Sequence, residues 1–364
     1  MMKITIVAGA RPNFIKIAPI VHELERVRTN GTIVHYRLVH TGQHYDQKMS
    51  ASFFHELNIP EPDVNLECGG GSQAEQTAAI LKAFEKELLN NPPDVVLVVG
   101  DVNSTMACAI VAKKLQIKVA HVEAGIRSFD LTMPEEINRL VTDSITDYYF
   151  TTSEYANENL RRAGIKDSSI FFVGNVMIDT LLKQLPYFKK PSFFDKFKLF
   201  EKKYFVLTLH RPSNVDDITK LKLVINEILN STRGFPIVFP VHPRTARILQ
   251  NIDINSERLL TIDPLGYLEF NYLVKNSTAV ITDSGGITEE TTVLNVPCLT
   301  LRSNTERPET VEMGSNILVG TDPASIRAVL NELFTKPWKE SKVPPLWDGK
   351  TAERIVNGLL VTNG

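Results

Sequence analysis

The stretch Asp283-Ser284-Gly285-Gly286-Ile287-Thr288-Glu289-Glu290 carries the most specific chemistry in this chain. It follows the apolar run Ala279–Thr282 and opens a helical pattern. Ser284, Gly285 and Gly286 at a helix N-terminus present several backbone N–H groups, a ready site for phosphate oxygens. Glu290 lies one to two turns further on. A carboxylate there is placed to accept hydrogen bonds from both hydroxyls of a ribose whose phosphates rest on the turn.

Other polar residues sit just after apolar runs. Gly9-Ala10-Arg11-Pro12-Asn13-Phe14-Ile15-Lys16 supplies a tight turn, a proline suited to a first helical turn, and two cations, Arg11 and Lys16, for an anion. Val95–Gly100 ends in Asp101, a candidate site carboxylate that is equally placed to cap the next helix. His121, Glu123 and Arg127 cluster at one run's end. Met133-Pro134-Glu135-Glu136 reads as a helix start, where carboxylates are stabilised by the dipole, so at least one of Glu135 and Glu136 is expected to serve the helix alone. His210-Arg211 and His242-Pro243-Arg244 end two successive runs, and two histidines in register at one sheet edge point to a site.

These residues need a scaffold that brings strand ends together. Short β-branched runs, among them Lys3–Ala8, Ile33–Thr41, Val95–Gly100, Val119–Val122, Tyr148–Thr151 and Ile170–Val173, alternate with helical segments such as Ala74–Leu89 and Ser104–Leu115. Several are apolar throughout, as expected of strands covered on both faces of a parallel sheet. The pattern restarts with Tyr204–Leu209, Ile237–Val241, Leu259–Thr261, Ala279–Thr282, Cys298–Leu301 and Ile317–Val319. The expected fold class is α/β: two Rossmann-like, doubly wound parallel-sheet domains facing across a cleft, with ligands outside the strand carboxyl ends. The expected domains are residues 1–175 with a C-terminal helix of about 350–364, and residues 176–349. Thr351–Leu360 reads as amphipathic, with Ile355, Val356, Leu359 and Leu360 on one face.

Composition narrows the function classes. A chain of 364 residues exceeds one ordinary core, and 43% hydrophobic with 23% charged residues is the make-up of a globular protein. Lys and Arg total 40 against 42 Asp and Glu, so no basic excess signals a nucleic-acid partner. No apolar run approaches the roughly 18 residues of a membrane span, and the N-terminus begins as a strand rather than a signal peptide. A cytoplasmic enzyme with no membrane partner is expected. Cys68, Cys108 and Cys298 lack CxxC spacing, so neither a disulfide framework nor a zinc site is implied. GxGxxG is absent, and Gly349-Lys350-Thr351 has Pro344 where a P-loop needs glycine.

Gly9-Ala10-Arg11-Pro12, Gly100-Asp101, His121 to Ser128, Met133 to Arg139, Leu209-His210-Arg211, Asp283 to Gly286 and Thr305-Glu306-Arg307-Pro308, in this order from residue 3 to about residue 360, resemble the non-hydrolysing UDP-N-acetylglucosamine 2-epimerases. The resemblance implies a glycosyltransferase-B architecture whose last helix returns to the first domain, and a homodimer. It implies Ser284, Gly285 and Gly286 as the diphosphate turn and Glu290 as the ribose carboxylate. Arg11, Lys16 and Arg307 become nucleotide-sugar cations, and Phe270 an aromatic near the uracil. His242 is a further binding candidate. Asp101, Glu123, Glu135 and His210 are the implied catalytic residues. Leu265 stands where the family usually carries Gln.

The implied reaction inverts carbon 2 of the sugar, giving UDP-N-acetylmannosamine through loss and re-addition of UDP. Elimination replaces oxidation, so no hydride acceptor is required, and phosphate charge can be met by Arg, Lys and backbone, so neither metal nor other cofactor is expected. The same motifs fit a 2-epimerase of UDP-2,3-diacetamido-glucuronate or of an N-acetylfucosamine precursor. A glycosyltransferase and a non-catalytic UDP-sugar-binding protein are the remaining alternatives.

Overall fold

The structure is a computed structural model that describes residues 1–43, 56–241, 243–249, 252, 254 and 256–362. The chain forms two compact units: Met1–Lys183 with Pro345–Gly364, and Gln184–Pro344.

In the first unit the strands are β1 (Met2–Ala8), β2 (Val34–His40), β3 (Val64–Asn65), β4 (Val95–Val99), β5 (Lys118–Val122), β6 (Tyr148–Thr151) and β7 (Ile170–Phe172). The helices are α1 (Arg11–Thr29), α2 (Gln73–Asn90), α3 (Asn103–Lys114), α4 (Pro134–Ile145), α5 (Glu154–Arg162) and α6 (Val176–Gln184). The sheet order is β3-β2-β1-β4-β5-β6-β7, and every pairing is parallel.

The second unit holds α7 (Phe193–Lys196), β8 (Phe205–Thr208), α8 (Pro212–Val215), α9 (Ile218–Ser231), β9 (Ile237–Pro240), α10 (Pro243–Leu249), β10 (Leu259–Ile262) and α11 (Tyr267–Asn276). It continues through β11 (Ala279–Thr282), α12 (Gly285–Leu294), β12 (Cys298–Thr300), α13 (Pro308–Glu312), β13 (Asn316–Leu318) and α14 (Pro323–Thr335). Its sheet, β10-β9-β8-β11-β12-β13, is again wholly parallel. The last helix, α15 (Thr351–Thr362), packs on α1 of the first unit through buried Ala352, Ile355, Val356 and Leu359. Trp347 anchors the returning segment, donating its indole N–H to the Thr152 carbonyl at 3.0 Å.

The apolar strands are explained by burial on both faces. Phe205, Leu207, Phe239 and Ile281 meet Leu221, Ile225 and Ile228 of α9 and Ile326 and Leu330 of α14. Their neighbours Val206, Val238 and Val280 point the other way, into a cluster with Phe194, Tyr204, Leu273 and Val274. That is a period of two with both phases apolar.

Both sheets reverse direction of growth at one place, between β1 and β4 in the first and between β8 and β11 in the second. The carboxyl ends of strands at such a switch point part from one another and leave a crevice for ligand. Gly9–Lys16 and Gly100–Asp101 follow β1 and β4, and His210–Arg211 and Asp283–Gly286 follow β8 and β11. Among the described residues, no helix is long and apolar enough to cross a membrane.

Candidate active site

In the first unit, Asn13 sets the turn after β1. Its Oδ1 accepts from the Gly9 and Ala10 amides at 3.1 and 2.9 Å, and its Nδ2 donates to the Val99 carbonyl at the end of β4 at 3.1 Å. Arg11 opens α1, and its side chain lies outside the described residues. Lys16, on the next turn, is buried, with Nζ 2.7 Å from Glu123 Oε2. Its charge therefore meets a carboxylate of the protein. Gly100 leaves room for that ammonium: a Cβ there would lie 2.9 Å from Lys16 Nζ, on a backbone with φ +68°.

Glu123 follows β5 with φ +71°, a left-handed conformation uncommon for a residue with a long side chain. Strain of this kind costs on the order of 1–3 kcal/mol and persists only where the surroundings impose it. The surroundings here are His121 and Asp143. His121 Nδ1 is 2.7 Å from Asp143 Oδ1 and Nε2 is 2.8 Å from the Gly100 carbonyl, while Asp143 Oδ2 accepts from the Gly125 amide at 3.0 Å and pairs with Arg127 at 2.6 Å. Burial acts to raise the Asp143 pKa, yet His121 and Arg127 outweigh it and hold the carboxyl below its usual range. The buried His121 and Arg127, part of the sequence's polar cluster, thus bind the loops after β4 and β5 together.

Asp101 is partly exposed and is gripped by Arg139, whose Nη2 and Nε reach Oδ2 at 2.6 and 3.1 Å. The same guanidinium reaches Glu136 Oε2 at 2.8 Å. The two neighbouring glutamates of α4 differ sharply. Glu136 is buried and accepts from the Ser128 amide and hydroxyl and the Phe129 amide at 2.9, 3.1 and 3.1 Å. Glu135 is exposed, and among the described residues its side chain makes no hydrogen bond or ion pair. Glu136 is the member of the pair that serves the fold.

In the second unit, Asp283 at the end of β11 is wholly buried and organises the loop after β8. It accepts from the His210 and Arg211 amides at 3.2 and 3.0 Å and from Asn214 Nδ2 at 3.1 Å, and His210 Nδ1 lies 2.8 Å from its Oδ1. Burial opposes its charge, but His210, the Arg211 amide and Asn214 prevail and lower its pKa. The His210 imidazole is 55% exposed, so Nε2 is the nitrogen left for solvent or ligand. An aspartate fixing one nitrogen of an exposed histidine sets the ring's orientation for proton transfer or anion contact.

Ser284 caps α12 and Gly285 begins it. A Cβ on Gly285 would stand 2.6 Å from Glu306 Oε1, so the turn admits only glycine while Glu306 keeps its place. Glu306 is held by Arg302 at 2.7 Å and approached by Arg211 at 3.7 Å. Arg307, a cation for the nucleotide-sugar by resemblance, is buried with Nε 2.7 Å from Glu289 Oε1. Glu290 is buried, with Asn271 Nδ2 3.4 Å from its Oε1. Burial pushes its carboxyl up to about 7, against the opposing influence of its polar neighbours Tyr267 and Asn271. Phe270 packs, half-buried, in the cluster that includes Leu265 and Ile287. His242 lies outside the described residues.

The sequence reading named Asn13, Arg139 and Asp283 without a role and passed over Asp143 and Asn271. Each acts on a residue distant in sequence or on its neighbours' backbone, for which no spacing signal exists.

Two parallel sheets with polar residues gathered at both switch points define a nucleotide-sugar enzyme of the glycosyltransferase-B-like class. Residues 26–360 match the family model described as UDP-N-acetylglucosamine 2-epimerase. UDP-N-acetylglucosamine 2-epimerase of Methanocaldococcus jannaschii is 44% identical, over 98% of both chains. UDP-2,3-diacetamido-2,3-dideoxy-D-glucuronate 2-epimerase of Pseudomonas aeruginosa is 40% identical, over 88% of both. The crystal structure of the M. jannaschii enzyme with UDP-GlcNAc and UDP superposes with a TM-score of 0.89 over the full length of both chains. The chain belongs to the UDP-N-acetylglucosamine 2-epimerase family.

Proposed function

We propose that this chain interconverts UDP-N-acetylglucosamine and UDP-N-acetylmannosamine in the cytoplasm, as a homodimer, for the synthesis of cell-surface polysaccharide precursors. The observation that carries the reading is full-length similarity to a relative solved with UDP-GlcNAc and UDP, together with carboxylates and cations at both switch points. The exposed apolar residues Phe129, Leu131, Ile137 and Leu140 on and before α4 support a subunit contact.

In the proposed reaction a carboxylate takes the proton from carbon 2 as the bond from carbon 1 to the β-phosphate oxygen breaks. The electron pair of the C–H bond becomes the new double bond between carbons 1 and 2, and the pair of the C–O bond leaves with UDP. The intermediates are 2-acetamidoglucal and UDP. A proton then reaches carbon 2 from the opposite face as the phosphate oxygen re-adds to carbon 1. A positioned acid or base contributes about 10²- to 10⁴-fold. Asp101, Glu123 and Glu135 divide the acid and base roles. Glu123 is paired with Lys16, and Asp101 with Arg139. Glu135 is exposed and makes no ion pair among the described residues, so its carboxyl is open to ligand.

The leaving diphosphate is stabilised by preorganised donors of the second unit: the Ser284–Gly286 turn and His210 oriented by Asp283. Arg11 is a further cation for the nucleotide-sugar. Glu290 takes the ribose hydroxyls, and Phe270 and His242 complete the binding set. Lys16 and Arg307 are each paired with a carboxylate, Glu123 and Glu289, so they act on ligand by sharing or exchanging that partner.

Proton NMR of the purified protein with UDP-N-acetylglucosamine in D₂O tests the reading. UDP-N-acetylmannosamine with deuterium at carbon 2 is expected. The 40% identity to the diacetamido-glucuronate epimerase favours one second reading, the same chemistry on that uronate. Turnover of the uronate alone would replace the first reading with the second.

A further inference from the structure

His210 and Asp283 sit beyond the ends of β8 and β11, paired strands of the second sheet. The aspartate is wholly buried and the imidazole is largely open to solvent, so a fixed carboxylate backs a ring that ligand can reach. Donors surround that carboxylate. Oδ2 faces the Arg211 amide at 3.0 Å and Asn214 Nδ2 at 3.1 Å, and the His210 amide lies 3.2 Å from both oxygens. Asn214 Nδ2 also donates to the Leu301 carbonyl at 3.2 Å, which fixes that amide's orientation. Against the pull of burial, these donors and His210 hold the Asp283 pKa below the usual carboxylate range, so it only accepts. The remaining contact of Oδ1 is His210 Nδ1, at 2.8 Å. A nitrogen lone pair and a carboxylate oxygen repel at that distance, so the hydrogen lies on Nδ1.

That assignment decides the other nitrogen. A neutral imidazole with its hydrogen on Nδ1 presents a bare lone pair at Nε2. A bare nitrogen repels a phosphate oxygen, and only a second proton turns Nε2 into a donor. The charged side chains nearby are engaged elsewhere. Arg211 meets the Asp283 carbonyl at 3.0 Å and Glu306 at 3.7 Å, Arg302 meets Glu306 at 2.7 Å, and Lys220 of α9 meets the Ser213 carbonyl at 3.3 Å. Among the described residues, Asp283 is the ion-pair partner of the imidazole.

We propose that Asp283 is a positioning residue that keeps the His210 hydrogen on Nδ1, and that UDP binding therefore draws one proton from solvent onto Nε2, which donates to the diphosphate and returns the proton when the nucleotide leaves. The inference rests on the reading that this chain binds UDP-sugars at the Ser284–Gly286 turn. No bond of the nucleotide is made or broken in this step.

Nitrogen-15 NMR of the histidines at pH 8, with His210→Gln to assign the signal, reads the proton directly. Free wild type should carry hydrogen on Nδ1 alone, and saturating UDP should protonate Nε2 as well. Calorimetry of UDP binding at pH 8, in buffers of different ionisation heat, counts the protons taken up. Wild type should exceed His210→Gln by up to about one per site, and proton changes of the phosphate cancel in that difference. Between pH 7.5 and pH 9, UDP binding to wild type should weaken by up to about tenfold per pH unit relative to His210→Gln, the slope of a one-proton linkage. Asp283→Asn tests the positioning. Its single oxygen is claimed by the Arg211 amide and Asn214, so its NH₂ group donates to Nδ1 and the hydrogen moves to Nε2. That variant should bind UDP without the extra proton and without the pH slope. Hydrogen on Nε2 in free wild type, a ring equally protonated with and without UDP, or equal proton counts for wild type and His210→Gln overturns the proposal. None of these three readings needs the aspartate variant to fold. Wild type that does not bind UDP would instead overturn the proposed function.

Discussion

Lys16 and Glu123 form a buried ion pair, Nζ to Oε2 at 2.7 Å, on the first turns beyond two strands that are not neighbours in the sheet. Removing one partner of such a pair leaves a buried charge uncompensated, at a cost of about 3–5 kcal/mol. Lys16→Met should therefore lower the urea midpoint strongly, and the double variant Lys16→Met with Glu123→Gln should regain much of the loss. A double variant no more stable than Lys16→Met would show that the ammonium supports something other than Glu123.

Glu123→Gln alone separates chemistry from binding. The amide keeps the shape and removes the proton acceptor, so turnover should fall about 10²- to 10⁴-fold. UDP affinity should be kept or strengthened, because Lys16 loses its competing carboxylate, while the uncompensated ammonium lowers stability. Asp101→Asn should behave alike, because Arg139 can still be met by the amide oxygen. Near-normal kcat in either variant would remove that residue from the proton-transfer set.

Glu135 and Glu136 make the sharpest contrast. Glu136 satisfies three donors of Ser128 and Phe129 and faces Arg139. Glu136→Ala should cost about 3 kcal/mol or more, since buried donors and a guanidinium would lose their acceptor. Glu135→Gln should melt like wild type and lose turnover. Circular dichroism melts with kinetics on both variants decide it, and the opposite pattern would exchange their roles.

That contrast also marks what the sequence could convey. Pro134-Glu135-Glu136 announces a helix start and two carboxylates, but not which one the helix face turns inward; the 100° step between neighbours decides that, and only packing sets its phase. Strand runs such as Tyr148–Thr151 and Ala279–Thr282 were legible to the residue because burial on both faces leaves an uninterrupted apolar signature. The two-residue edge strand β3 was not, having too few residues to show any period. Site residues at strand ends were legible for the same reason as the strands. Their partners were not. Lys16 and Arg307 read as free cations until Glu123 and Glu289 appear beside them. Asp143 and Asn271 sit inside helices with nothing in their flanks to distinguish them from ordinary helix residues.

Gly285 offers a test confined to the second unit. A methyl group there would meet Glu306 Oε1 at 2.6 Å, and Glu306 is held by Arg302. Gly285→Ala should displace that carboxylate or tilt the first turn of α12, weakening UDP binding by about tenfold or more, since one charge-assisted hydrogen bond is worth at least that. Stability should change far less, because the crowded atom is the end of a side chain. Unchanged UDP affinity would place the diphosphate elsewhere.

Asp179 gives the fold a pH dependence of its own. Its carboxylate caps α15, accepting from the Thr351 and Ala352 amides at 3.1 and 2.7 Å, yet burial dominates and pushes its pKa from 3.8 up to about 6. The unfolded chain releases this proton near 3.8 and the folded chain retains it to about 6, so across that window the native state binds more protons. Stability accordingly falls as pH rises, by roughly 3 kcal/mol in all for a shift of about two units, with more than about 1 kcal/mol of it between pH 5 and pH 7. Asp179→Asn keeps one acceptor and cannot ionise. It should start below wild type at pH 5 through the lost hydrogen bond and gain on wild type by more than about 1 kcal/mol by pH 7. Urea titrations of both proteins at the two pH values measure that gain directly. A constant gap between them would mean that the carboxyl is already ionised at pH 5, and that the amides of α15 outweigh the burial around it.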